Sequence, residues 1–135
     1  MPFKYQSQID QFNNCDLSSF SGQDRQAFRW VFADIQDQRN FLPRFLLNDT
    51  AVRDKCIGWA LSFFETQEKA KNRLLRLTRN KENLFKKLGT HIATGQLATV
   101  DGISDACDEL GHFSHFEYEN INLNPRFTIV EQIAG

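Results

Sequence analysis

One helical pattern between two strand-like stretches constrains the fold of this 135-residue chain most. Thr66 is a good N-cap residue, Glu68 places an acid in the first turn, and Arg79 places a base in the last turn. The helix dipole favours this order of charges. Three apolar residues recur at i, i+4 and i+7 and form one stripe: Ala70, Leu74 and Leu77. The pattern therefore predicts an amphipathic helix from Thr66 to about Arg79.

Strand patterns flank this helix on both sides. In residues 56–64 large side chains alternate with Gly, Ala and Ser, which favours a strand with one closely approached face. Residues 91–99, 113–119 and 127–130 are also predicted to form strands, and residues 27–33 fit either a strand period or a helix period.

The remaining local signals are short. Residues 84–88 are predicted to form a helical turn closed by Gly89, and residues 101–110 one short helix that ends at Gly111. Residues 48–50 predict a turn or a helix cap. Together these elements predict an α+β fold, with a small mixed or antiparallel sheet and one strong basic amphipathic helix.

The length fits one domain. We expect an N-terminal arm or short helix over residues 1–20 and a single α+β domain over residues 21–135. The first residues show no apolar signal segment, and no apolar run approaches the ~20 residues that span a bilayer, so we expect a cytoplasmic protein with no membrane contact. Cys15, Cys56 and Cys107 are odd in number and widely spaced, which predicts three reduced thiols.

The formal net charge of −1 hides a strong segregation of charge along the chain. Residues 66–90 carry eight basic and two acidic groups, a net +6, whereas residues 91–135 carry one basic and seven acidic groups, a net −6. A basic helix face could bind the phosphates of a nucleic acid, and the candidate residues are Lys69, Arg73, Arg76, Lys86 and Lys87. Phe85 is the only nearby aromatic, and we expect the two segments mostly to neutralise each other.

Several short motifs give a first family resemblance. They are Arg29-Trp30-Val31, Asn40-Phe41-Leu42-Pro43, Leu61-Ser62-Phe63-Phe64 followed by Glu68 and Ala70, Gly89 with Ile92-Ala93, and Gly111-His112-Phe113. Over about residues 28–131 the chain resembles a family of small uncharacterised bacterial proteins. The resemblance implies an α+β domain over that span, and no activity comes with it.

A second resemblance concerns catalysis. Arg29, Ser62 and Glu117 (or Glu119) follow one another in an Arg–Ser–Glu order that is similar to ADP-ribosyltransferases. That resemblance implies that Arg29 grips the NAD phosphates, Ser62 orients the ribose and the glutamate stabilises an oxocarbenium-like centre. The sequence departs from the family because no Ser-Thr-Ser follows Leu61 and the chain is short for a complete NAD cleft. The alternative is a structural arginine, a small strand serine and surface acids.

Histidine gives two further candidates. His112 lies between Gly111 and Phe113 at a predicted junction, where it suits acid–base catalysis or the ordering of a turn. Cys107, His112 and His115 have a spacing that suits zinc, with Asp108 or Glu117 as a fourth ligand, but two paired clusters are missing. We therefore expect no metal and no cofactor.

These observations lead to three hypotheses of function. The first is a small cytosolic bacterial protein-interaction module, an accessory, adaptor or regulatory subunit that binds a protein partner by electrostatically steered association. The alternative is a small effector or toxin-type enzyme that acts on NAD or nucleic acid through Arg29, Ser62, His112 and Glu117. Nucleic-acid binding through the basic face of residues 69–87 is a third possibility.

Overall fold

The fold is an antiparallel sheet of six strands covered on both faces, as a computed structural model describes it for residues 2–47 and 55–135. The strands are β1 (Arg25–Val31), β2 (Leu61–Phe64), β3 (His91–Leu97), β4 (Gly102–Ser104), β5 (His112–Glu117) and β6 (Thr128–Gln132). The order across the sheet is β4-β5-β2-β1-β3-β6, and every neighbouring pair is antiparallel. The predicted α+β class is confirmed, and residues 25–31 adopt the strand alternative.

The helices are short except for one. They are α1 (Gln6–Ile9), α2 (Gln67–Thr78) and α3 (Phe85–Leu88). The predicted helix is α2: the Thr66 hydroxyl accepts a hydrogen bond from the Lys69 N–H, and Ala70 and Leu74 are fully buried. After α2 the chain turns at Asn80, which has a φ of 61°.

The two faces of the sheet bury different groups. On one face α2 packs against Phe28, Phe64 and Ile92. On the other face the core is formed by residues of the strands together with Leu123 and Phe127 from the loop before β6. The strands β1, β2 and β3 therefore contribute alternate residues to two separate layers,.

The short helix α3 lies against the same face as α2. Phe85 and Leu88, three residues apart, pack on the cluster around Phe64, so Lys86 and Lys87 are exposed. Gly89 closes the helix as predicted, with a φ of 126°. A Cβ at Gly89 would lie 2.9 Å from the Val31 carbonyl oxygen, so a glycine lets α3 connect directly to β3.

Two local predictions are wrong. Cys56–Trp59 form a 3₁₀ turn, and the strand begins only at Leu61. Residues 101–110 form β4 and a loop where one helix was expected. In that loop the Asp105 carboxylate accepts from the Ser114 N–H and the Asp108 carboxylate from the Leu110 and His112 N–H groups, and such side-chain acceptors compete with helix formation.

The prediction of three reduced thiols is also wrong. Cys15 and Cys56 form a disulfide, and Cys107 is the free thiol. The two Cα atoms lie 5.7 Å apart although 41 residues separate them in sequence, and only the fold creates that proximity. Disulfides of this kind persist in oxidising compartments.

The disulfide secures the N-terminal segment to the rest of the fold. Ile9 is buried in a third cluster with Ala60 and Phe116, and Phe3 and Phe20 pack against it. Ser21 exchanges two backbone hydrogen bonds with Ser104, both of 2.9 Å, and so covers part of the β4 edge.

The turn predicted at residues 48–50 lies outside the described residues. Of the helices in the described ranges, none has the length and apolar character needed to cross a membrane.

Candidate functional site

Arg29 fills the opening between β1 and β2. The two strands share one register pair, Phe28 with Phe64, and beyond it the buried Arg29 guanidinium binds one carbonyl oxygen of β2 and two carbonyl oxygens of the segment that follows β1. It donates to Ser62 O at 2.7 Å, to Asn40 O at 2.6 Å and to Leu42 O at 3.2 Å. Burial lowers the pKa of Arg29 to about 10, and the negative charge of Glu117 opposes this shift.

Glu117 shares a sheet face with Arg29. Side chains alternate along β5, so His115 and Glu117 lie on the face of the core that contains Phe63 and Phe113. Glu117 is 5% exposed, and its carboxylate accepts a hydrogen bond of 2.9 Å from the Lys4 ammonium. Burial raises the pKa of Glu117, while Lys4 and Arg29 oppose that rise.

Ser62 and His112 lie on the opposite face. Ser62 pairs with Ser114, and Phe64, which packs on α2, pairs with His112, so the side chains of Ser62 and His112 share the α2 face. Arg29 contacts the Ser62 carbonyl and not its hydroxyl. Burial lowers the pKa of His112, and the Asp108 carboxylate lies 3.9 Å from His112 Nδ1.

The four candidate catalytic residues are therefore divided between the two faces of the sheet. Arg29 and Glu117 are close enough to influence each other's pKa, but the guanidinium donors already bind three carbonyl groups. This arrangement suits a structural clamp, since a phosphate would have to displace main-chain acceptors from a buried arginine.

Cys107 and His115, two of the three residues whose spacing suits zinc, have hydrogen-bond partners of their own. Arg25 Nη2 donates to Cys107 Sγ at 3.0 Å, and His115 Nδ1 lies 2.7 Å from the Ser104 hydroxyl. Burial raises the pKa of the Cys107 thiol. Among residues 2–47 and 55–135, no three His, Cys, Asp or Glu side chains are grouped so that they could hold a metal ion.

A buried polar network surrounds His115. Its Nε2 and the Asp101 Oδ1 atom are buried without a hydrogen-bond partner in the described part of the chain. The other Asp101 oxygen accepts from the Ala98 N–H at 2.7 Å and from the Arg126 guanidinium. Burial lowers the pKa of His115 to about 4, although the Asp101 charge acts in the opposite direction.

The basic segment is only slightly neutralised by other residues. Lys69 pairs with Glu65 within its own helix region, and Lys71 pairs with Glu131 of β6 at 2.6 Å. The other six basic side chains of residues 66–90 have no ion pair with any described residue: Arg73, Arg76, Arg79, Lys81, Lys86 and Lys87. We call these six residues the basic surface. The expectation that the acidic C-terminal third mostly neutralises this segment is wrong, because only Lys71 reaches it.

The basic surface adjoins a depression of about 450 Å³. Its lining includes Phe32, Asp34, Asp37, Arg39, Phe85 and Lys86. The Arg39 guanidinium carbon lies 3.7 Å from the centre of the Phe32 ring. Lys86 belongs to both features, so the depression and the basic surface meet at this residue.

Little in the sequence indicates this depression. Phe85 and Lys86 stand out beside the basic helix, but Phe32, Asp34 and Arg39 belong to the loop after β1, more than 40 residues earlier. The close approach of that loop to α3 depends on the pairing of β1 with β3, which places Val31 opposite His91.

The fold and the site define an antiparallel α+β protein with a buried arginine clamp and, on α2, on α3 and between them, six basic side chains that have no ion pair with a described residue. No protein-family model, curated protein or solved structure matches the chain.

Proposed function

We propose that the protein is a non-catalytic interaction module that binds a polyanionic partner through its basic surface. One observation carries the proposal: six basic side chains within residues 73–87 have no acidic partner in the described ranges. Such a concentration of one charge attracts oppositely charged partners and accelerates their association.

The local sequence makes this concentration energetically unfavourable without an anion. Arg73, Arg76 and Arg79 follow one another at spacings of three, which makes them neighbours on the surface of α2 and its C-terminal end. Like charges at this spacing destabilise a helix by a few tenths of a kcal/mol per pair. A bound polyanion relieves that repulsion, so binding stabilises the folded protein.

The position of α3 supports the same function. Phe85 and Leu88 hold the short helix against the sheet, so the ammonium groups of Lys86 and Lys87 project from a fixed backbone. The buried environment of Arg29 disfavours the catalytic alternative, because three carbonyl groups, one on β2 and two in the segment after β1, already accept from its guanidinium.

The experiment is a salt titration of binding to two labelled polyanions, an oligoglutamate peptide and a single-stranded oligonucleotide. We expect binding at low salt that weakens steeply as salt is added, and a loss of about tenfold or more on changing Lys86→Glu together with Lys87→Glu. Lys55→Glu, compared with the single substitution Lys86→Glu, is the control of equal charge change, since Lys55 is exposed and precedes the 3₁₀ turn whose Ile57 and Trp59 pack against the cluster around Ile9. Retention of neither polyanion at low salt, or an equal loss with Lys55→Glu, would overturn the proposal.

A further inference from the structure

We infer that the polyanion is a single-stranded nucleic acid, with one base in the depression between Phe32 and Phe85 and the following phosphates along the basic surface. This inference rests on the proposed function and names its partner. The two parts of the site meet on α3, because Lys86 lines the depression and Lys87 follows it on the same helix.

The depression offers flat surfaces on which a base can stack. Phe32 and Phe85 are both partly exposed and line it. Arg39 lies over the Phe32 ring, and Asp37 fixes the guanidinium with two hydrogen bonds, Nη2 to Oδ2 at 2.7 Å and Nε to Oδ1 at 3.1 Å. An aromatic ring and an immobilised guanidinium plane are the groups that bind unstacked bases in single-strand-binding proteins.

Asp34 supplies a polar group for the edge of that base. It is exposed at the rim, and its Oδ1 accepts a hydrogen bond of 2.9 Å from the Gln36 N–H. The carboxylate keeps acceptor capacity on its second oxygen, and a carboxylate accepts well from the amino groups that bases carry. The volume of about 450 Å³ suits one small planar ligand,.

The same groups disfavour an acidic protein segment as the partner. Asp34 and Asp37 would repel its carboxylates at the depression, and the aromatic rings would have no matching group. A duplex is disfavoured as well, because its bases are stacked and paired and cannot enter a depression one at a time.

The test measures fluorescence anisotropy of four labelled probes: single-stranded DNA, single-stranded RNA, an abasic oligonucleotide of the same length and oligoglutamate. An oligonucleotide of about twelve nucleotides lies within the usual range of site sizes. We expect the oligonucleotides that carry bases to bind about tenfold more tightly than the abasic one, since a stacked base contributes an effect of this size.

Two substitutions at one position isolate the stacking surface. Phe32→Leu keeps an apolar side chain but removes the ring, and it should weaken binding of DNA or RNA with bases about tenfold while leaving abasic and oligoglutamate binding unchanged. Phe32→Trp should restore binding. Thermal unfolding of each variant shows whether it is folded, and the comparison of abasic with base-bearing oligonucleotides in the unsubstituted protein decides the question without any variant.

The outcomes separate this inference from the proposed function. Equal binding of abasic and base-bearing oligonucleotides, tighter binding of oligoglutamate, or a preference for duplex DNA would overturn the inference while the polyanion-binding function stands. Failure of every probe to bind at low salt would overturn both.

Discussion

At the scale of single residues, Arg29 shows how a motif residue acquires a structural role. In the sequence it is one charged residue within an apolar stretch, and its place in an Arg–Ser–Glu order is similar to a catalytic pattern. In the fold it is 8% exposed and joins Ser62, Asn40 and Leu42 through their carbonyl groups. Neither the order of residues nor their spacing predicts that β1 and β2 diverge at this point.

A conservative substitution tests that role. Arg29→Lys keeps the charge but loses the fork of donors that reaches three carbonyl groups, so we expect the free energy of unfolding to fall by about 3 kcal/mol. Urea denaturation measures the change, and Arg76→Lys on the exposed side of α2 is the control. Equal stability of Arg29→Lys and the unsubstituted protein would contradict the structural role.

His115 makes the stability of the protein depend on pH. Its pKa in the folded state is about 4, below the ordinary 6.5, so the unfolded chain binds more protons between these values. The stabilisation is complete above pH 6.5 and is lost as the pH falls toward 4, by about 3 kcal/mol in total.

The measurement is urea unfolding over this pH range for the unsubstituted protein and for His115→Gln. Comparing the two curves separates His115 from Glu117, whose raised pKa acts in the opposite direction. The difference in unfolding free energy between the two proteins should shrink toward acid. A difference that is independent of pH would contradict a buried neutral histidine.

At the scale of elements, the helix α2 was predictable because all its signals are local. The cap, the acid in the first turn and the apolar stripe lie within one continuous stretch and agree with each other. The 3₁₀ turn at Cys56–Trp59 was not predictable, because the alternation of large and small side chains there also fits a strand. The disulfide that holds Cys56 joins it to Cys15, which lies 41 residues earlier in the sequence.

The cap of α2 can be tested separately. Thr66→Ala removes the acceptor for the Lys69 N–H, and the free energy of unfolding should fall by about 1 kcal/mol. Thr66→Ser keeps a hydroxyl acceptor and should stay within a few tenths of a kcal/mol of the unsubstituted protein. Equal effects of the two substitutions would show that the hydroxyl group does not cap the helix.

At the scale of the whole molecule, the disulfide joins the N-terminal segment to the chain just before β2. In the chain-entropy estimate, closing a loop with a separation of 41 residues stabilises the fold by about 4 kcal/mol. We expect Cys56→Ser to lower the midpoint of thermal unfolding strongly and Cys107→Ser to change it little. If a reducing agent left the unfolding of the unsubstituted protein unchanged, the disulfide would not contribute to stability.

Whether the basic and acidic segments neutralise each other can be judged only from the whole fold. A net charge of −1 suggests no preference for any partner, and the sequence alone favoured mutual neutralisation of its basic and acidic segments. The fold connects them at one ion pair, Lys71 with Glu131, and Gln67 of α2 donates to the same carboxylate. The candidate site was therefore predictable in its charges but not in its aromatic depression, which the loop after β1 and the distant helix α3 create.

If the basic surface binds the phosphates of a single strand, as we infer, the affinity must fall steeply with salt concentration. The affinity for a single-stranded oligonucleotide is measured against salt concentration for the unsubstituted protein and for Lys86→Glu with Lys87→Glu. We predict that the logarithm of the affinity falls linearly with the logarithm of the salt concentration, with a slope of about −0.7 for each phosphate contacted. The substituted protein should bind more weakly, and its affinity should depend less steeply on salt. Absence of binding at low salt, or identical lines for the two proteins, would contradict the account.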